Sequence, residues 1–187
     1  MITIDYLHHK KYVIRDLKPN NVMIDENKTA VIIDFDRMIN LNDISDNQIF
    51  TSDFQSYYTA NELKEGNFSY EKCDVYSFGM LLCYIMTEKV PNDPESIKYH
   101  DLSDMCKMCI DKIPEKRPTL SNLIIEFFIN HYNQIQFKNY FEIDEDYLNS
   151  IYEKETIQTM KNLVQNPNDP ETQLGLGFIY SQGKYVR

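Results

Sequence analysis

Glycine is scarce in this chain. Its 187 residues hold five, at positions 66, 79, 175, 177 and 183, so no Gly-rich phosphate-cradling loop stands in the first third of the sequence. Long apolar runs are missing as well. None approaches the roughly 20 residues that a membrane-spanning helix needs, and the opening Met1-Ile-Thr-Ile-Asp5 lacks the basic head and apolar stretch of a secretory signal. Basic residues are outnumbered, 19 Lys and Arg against 29 Asp and Glu, for a net charge of −10. Nucleic-acid binding rests on clustered cations, so that balance argues against a phosphate-backbone partner; the acidic surplus reads as ordinary solubility. No membrane partner is expected either.

Cysteine is limited to Cys73, Cys83, Cys106 and Cys109. Without a secretory context these read as reduced thiols in a cytoplasmic protein. Cys106 and Cys109 form a Cys-x-x-Cys pair, but a zinc site needs about four ligands and no second close-spaced pair follows. Packing inside an amphipathic helix is the favoured reading. His8-His9 similarly reads as a helix end, for want of a carboxylate at ligand spacing. Apolar residues at 42% and charged residues at 26% describe a globular protein with one real core and room for a small appendage.

What the chain does have is concentrated near its start. Ile14-Arg-Asp-Leu-Lys-Pro-Asn-Asn21 is followed by Ile32-Ile-Asp-Phe-Asp36. An Asp followed five positions later by an Asn, then an apolar strand ending in a second Asp, resembles the way protein kinases build a phosphoryl-transfer site. A substrate hydroxyl must lose its proton to a carboxylate, and Mg²⁺ ions on a triphosphate need hard oxygen ligands from an Asp and an Asn amide. Val22–Ile24 and residues 29–33 read as two short strands joined by a polar turn. That hairpin brings Asn21 and Asp34 toward one metal site.

These motifs resemble the protein kinase family. By that resemblance Asp16 falls on the catalytic base and Lys18 on the lysine that contacts the transferred phosphate, while Asn21 and Asp34 fall on the two Mg²⁺ ligands. The Lys-Pro-x-Asn tail is the serine/threonine form. Tyr6-Leu-His8 matches the family's segment before the catalytic loop. Two departures are visible: Ile14 stands where the family usually has His, and Asp36 where it has the Gly of Asp-Phe-Gly.

Further matches run downstream. Thr59-Ala-Asn-Glu62 resembles the motif that closes the activation segment, with Asn61 in place of Pro. The resemblance pairs Glu62 with Arg117 of Lys116-Arg-Pro-Thr119. Asp74-Val-Tyr-Ser-Phe-Gly79 opens the family's central helix, and Asp74 is expected to accept hydrogen bonds from the catalytic-loop backbone. Val75, Phe78, Leu81, Leu82 and Ile85 lie on one side of that helix, with apolar cover over most of the rest, so it reads as a buried core helix. Residues 37–57 read as a long loop, the activation segment, with Thr51, Ser52, Ser56, Tyr57, Tyr58 and Thr59 as candidate phosphorylation sites and Arg15 as the residue that would pair with such a phosphate. Gln55 stands where the family places a Thr. Only Thr87 to His100 link the central helix to the next, so the family's extra docking helix is expected to be absent or vestigial.

The implied fold is mainly α: the large (C-terminal) lobe of a protein kinase with one or two short β-hairpins at the catalytic loop, plus C-terminal helices. Residues 1–131 are assigned to the lobe. Residues 132–166 are a helical linker in which Leu148, Ile151, Tyr152, Ile157, Met160, Leu163 and Val164 suggest one helix with an apolar stripe. Residues 167–187 open with a helix-start signature at Asp169-Pro170 and resemble the first half of a Sel-one-like helical repeat, a stacking unit that would engage a protein partner. The kinase resemblance covers roughly residues 4–130, the large lobe and not the small one. The expected function is ATP- and Mg²⁺-dependent phosphoryl transfer to a protein substrate by a truncated serine/threonine kinase. The alternative is a catalytically inactive kinase-like scaffold linked to a repeat array.

Overall fold

A computed structural model describes residues 1–43, 56–65, 70–89, 103–131, 145–166 and 169–170. The chain divides into two compact units, Thr3–Thr119 and Leu120–Arg187. Among the described residues helix predominates and sheet is confined to two antiparallel pairs, in keeping with a kinase large lobe.

In the first unit α1 (Ile2–His9) leads through Lys10 and a left-handed Lys11 (φ 65°) into β1 (Tyr12–Val13). The octet Ile14–Asn21 follows and closes with a single 3₁₀ turn, Pro19–Asn21, where the fixed φ of Pro19 suits the first helical position. Then come β2 (Val22–Ile24) and β3 (Ala30–Ile32), paired Val22 to Ile32, Met23 to Val31 and Ile24 to Ala30. Their connecting turn is closed by Asp25, whose Oδ1 accepts the Asn27 and Thr29 N–H groups, while Lys28 takes the left-handed position (φ 62°). The expected hairpin is therefore present.

The stretch expected to be loop from residue 37 onward is not loop throughout. Ile39–Asn40 forms β4, pairing with β1 through Val13–Ile39 and Tyr12–Asn40, and Leu41 N–H extends the zipper to the Lys11 carbonyl at 2.7 Å. Thr51, Ser52 and Gln55 lie outside the described residues. Of the remaining candidate hydroxyls, Tyr57 is 73% exposed while Thr59 is 3% exposed and closed off from modification. Tyr58 packs edge-on against Tyr84 with ring centres 6.4 Å apart.

Beyond α2 (Asn61–Glu65) the central helix α3 runs Tyr70–Thr87, starting one turn before Asp74. It ends where Glu88 adopts φ 55° and Thr87 Oγ1 donates to the Cys83 carbonyl at 2.8 Å. Its middle, Cys73–Cys83, is mostly buried as expected, although Tyr76, Phe78 and Leu82 are only half-buried. The last turn is not: among the described residues Ile85 is 65% exposed. α3 packs chiefly on α4 (Ser103–Cys109), where Met80, Cys83, Cys106 and Ile110 form one apolar cluster. All four cysteines are buried free thiols, and among the described residues no group of three His, Cys, Asp or Glu could hold a metal. The docking-helix expectation falls largely on residues 90–102, outside the described set.

Gly79 sits at the α3–α4 crossing, where a Cβ would lie 2.5 Å from Cys109 Cβ and 2.9 Å from Ile110 Cγ2. Those atoms are fixed close to the α4 backbone, so the helices must separate to admit a methyl. Gly79→Ala is expected to destabilise by about 1–3 kcal/mol through overpacking, outweighing the roughly 1 kcal/mol of helix propensity gained. Urea unfolding measures it; a raised midpoint would show a looser crossing.

In the second unit α5 (Leu120–His131) is followed by α6 (Glu145–Ile151) and α7 (Lys154–Gln165). The expected single helix is thus two. Glu153 takes an extended ψ of 144° and caps α7, its carbonyl accepting the Ile157 N–H at 3.1 Å. The apolar stripe is nonetheless buried, with Tyr147, Leu148, Tyr152, Met160 and Leu163 fully enclosed. Nothing is described of residues 171–187, where most of the repeat-like segment falls. No described helix is long and apolar enough to cross a membrane.

Candidate active site

The site is organised from Asp74, which is fully buried in α3. Its Oδ1 accepts the Arg15 N–H at 2.8 Å, and its Oδ2 accepts the Ile14 N–H at 2.8 Å and lies 2.9 Å from His8 Nε2. A buried carboxylate needs such partners, and the loop needs the carboxylate in return. Arg15 has φ 64°, a left-handed conformation that costs a non-glycine residue about 1–2 kcal/mol. The paired bonds to Asp74 hold the backbone there. Ile14, at the position where the resemblance expects His, has its side chain in the core. Sequence reasoning missed His8 as the imidazole that meets Asp74; its signal was the Tyr6-Leu-His8 match.

Asp16 follows Arg15 and projects a mostly buried carboxylate. Oδ2 accepts Lys18 Nζ at 2.7 Å and Asn21 Nδ2 at 3.1 Å, with Arg37 Nε at 3.9 Å. Asn21 Nδ2 also donates to the Asp16 carbonyl at 2.9 Å. The amide is thereby locked with both bonds on its nitrogen, and its oxygen remains as a donor atom for a cation. Across the hairpin the Ile33 N–H donates to the Asn21 carbonyl at 2.9 Å. Asp34 is thus one residue beyond the partner of Asn21. Asp34 also has a left-handed backbone (φ 69°), and its Oδ1 accepts the Asp36 N–H at 3.2 Å. Asp36 itself is not left-handed, so the position does not demand glycine here.

An amide oxygen and an exposed carboxylate are hard donors of the kind Mg²⁺ takes when phosphate oxygens and waters complete its shell. The donor set therefore fits the ion. Asp16, Lys18, Asn21 and Asp34 are gathered on one loop and hairpin.

Arg15 is buried with its Nε on the Arg37 carbonyl at 2.8 Å. Burial, the largest influence, holds its guanidinium below the ordinary range. Glu62 and Arg117 form the second expected pair. Arg117 is 2% exposed. Its Nη1 contacts Glu62 Oε1, and its Nη2 donates to Oε2 at 3.1 Å. The same guanidinium donates to the Asp111 carbonyl at 2.8 Å and the Lys72 carbonyl at 2.9 Å, and stacks 4.9 Å over the Tyr76 ring. Burial alone would raise the Glu62 carboxyl; the hydrogen bonds and charge of Arg117 reverse that and hold it below its ordinary value. Burial and the adjoining Glu62 push the Cys73 thiol up, so Cys73 stays protonated and donates to Oε1 at 3.5 Å.

Comparison with known proteins agrees with this geometry. The protein kinase domain model matches residues 1–170. A probable serine/threonine-protein kinase KIN1 homolog of Enterocytozoon bieneusi is 34% identical over 128 residues, covering 65% of this chain and 21% of that protein. A putative serine/threonine-protein kinase R436 of Acanthamoeba polyphaga mimivirus is 29% identical over 156 residues, covering 71% of this chain and 54% of the relative. The dual specificity protein kinase shkA of Dictyostelium discoideum is 29% identical over 200 aligned positions, covering 85% of this chain and 36% of the relative. The chain thus spans between about a fifth and about half of these relatives. By the extent of the model match together with the loop, hairpin and central-helix geometry, this chain belongs to the protein kinase family.

Proposed function

We propose that the chain carries the base and metal side of a serine/threonine protein kinase site, which transfers the γ-phosphoryl of ATP to a protein hydroxyl. The observation that supports this best is the convergence of Lys18 and Asn21 on Asp16 Oδ2, beside a hairpin that ends in Asp34. In this reading Asp16 takes the proton of the acceptor hydroxyl while that oxygen bonds to the γ-phosphorus and the bond to the ADP oxygen breaks. Lys18 holds the Asp16 carboxylate in place and offers positive charge to the transferred group. Asn21 and Asp34 would bind Mg²⁺, whose chemistry is to neutralise the charge of the triphosphate. Catalysis of this kind is mostly positioning, which suits a loop whose backbone is pinned at two amides by a buried carboxylate.

The experiment pairs Mg²⁺-dependent ATP binding with phosphate transfer to a Ser/Thr-bearing protein. Asp34→Ala is expected to weaken MgATP binding at least about tenfold, since one direct ligand to the ion is lost. No binding at millimolar ATP by the wild-type chain would overturn the enzyme reading. The scaffold reading would then stand, supported by the apolar Ile14 and the extra carboxylate Asp36. A cytoplasmic location and a protein partner for residues 167–187 complete the proposal; both rest on sequence features alone.

A further inference from the structure

The catalytic-loop motif accounts for Lys18 and Asn21 on Asp16, but not for the third group there. Arg37 comes from another segment, just past Asp34-Phe-Asp36, and its Nε lies 3.9 Å from Asp16 Oδ2. Three restraints put it there. The Met38 N–H donates to the Phe35 carbonyl at 3.0 Å, closing a turn around Asp36 and Arg37. Arg15 Nε grips the Arg37 carbonyl at 2.8 Å. The β1–β4 pairing, continued by Leu41 N–H to Lys11, zips the chain after Arg37 to the strand that leads into the catalytic loop. A main chain held this way keeps Arg37 within reach of the base, so that only its side-chain torsions must be ordered to form the pair.

We infer that Arg37 is a positioning residue for Asp16, a second cation that fixes the carboxylate and ties it to the metal-ligand segment. This deepens the kinase reading and rests on it. All the partners named above converge on Oδ2, so Oδ1 is the oxygen left to take the acceptor proton. Lys18 pulls on Oδ2 from within the catalytic loop, whereas Arg37 pulls from the turn after Asp34. Arg37 adds a second cation from another segment, at ion-pair distance, beside the Lys18 and Asn21 hydrogen bonds, and so narrows the positions the carboxylate can take. The registry between base and metal side is thereby set by this chain's own contacts.

Two measurements test the inference separately from the kinase reading. In the first, kcat of Arg37→Ala is expected to fall about three- to tenfold, less than the roughly hundredfold that a 1 Å misplacement can cost because Lys18 and Asn21 still hold Asp16, with KM for MgATP held within about twofold. Arg37→Lys restores most of kcat, and the uncharged Arg37→Gln does not. Wild-type kcat in Arg37→Ala, or equal rescue by Gln, overturns the inference. The second needs no activity: melting temperatures of Arg37→Ala, Asp16→Asn and the double variant form a cycle. If the charges interact, the double variant loses less than the sum of the two singles. Strictly additive shifts overturn the pairing whether or not phosphate is transferred. A non-additive cycle in a wild-type chain that transfers nothing overturns the kinase reading while the Arg37–Asp16 pair stands.

Discussion

Arg117→Ala is expected to unfold this protein at a far lower temperature than Lys116→Ala. Arg117 is enclosed, and five groups of the first unit depend on it: both oxygens of Glu62, the carbonyls of Lys72 and Asp111, and the face of Tyr76. Truncation leaves the Glu62 carboxylate without its cation in a largely desolvated place and removes the Arg117 bonds to the Asp111 and Lys72 carbonyls. Breaking a buried pair from one side costs about 3–5 kcal/mol. For a unit of this size, that is a large part of the total stability. Lys116 lies on the short 3₁₀ turn Pro114–Lys116 and is exposed; an exposed substitution of that kind stays within about 0.5 kcal/mol. Equal melting shifts for the two variants would show that the Glu62–Arg117 contact carries no weight.

The same pair has a pH signature. Glu62 titrates lower in the folded chain than its ordinary value of 4.5, so the unfolded chain binds the proton more readily. Its contribution to stability is complete above that ordinary value and is lost as the pH falls through the lower, folded value. Arg117→Ala should flatten this part of the acid limb, which denaturant unfolding at a series of acidic pH values measures.

How much of this could be foreseen follows from how local each signal is. The hairpin around Asp25 and the 3₁₀ turn at Pro19 are set by residues a few positions apart, and period and turn chemistry expose them. The central helix is visible for the same reason, except at its ends: the extra first turn from Tyr70 lies before its apolar string begins, and Ile85 belongs to the apolar face yet is exposed. β1 and β4 are two residues each, too short to show a period, and exist because they pair with each other. The break at Tyr152–Glu153 falls inside an unbroken apolar stripe, so periodicity runs across it. In the site, Asp16, Lys18 and Asn21 meet within six residues. His8 meets Asp74 across 66 positions, and Arg37 reaches Asp16 by way of the β1–β4 zipper. The Tyr6-Leu-His8 match marks His8 but does not name its distant partner, and Arg37 has no local signature at all.

Asp16→Asn is the substitution expected to remove phosphate transfer. The amide keeps the size of the carboxylate and an oxygen for Lys18, but it has no basic oxygen to accept the acceptor's proton. General-base contributions are typically about 10²- to 10⁴-fold, and kcat should fall within that range. MgATP binding should change little, because Asn21 and Asp34 retain their backbone setting through the hairpin register and the Ile33–Asn21 bond. Asp16→Ala is a less selective test: it also strips the Asn21 amide of one of its two acceptors, so a loss of ATP affinity would accompany the loss of rate. Comparing the two variants separates proton transfer from site assembly. An Asp16→Asn chain that turns over at the wild-type rate would show that the acceptor hydroxyl loses its proton elsewhere, and that Asp16 only anchors Lys18 and Asn21.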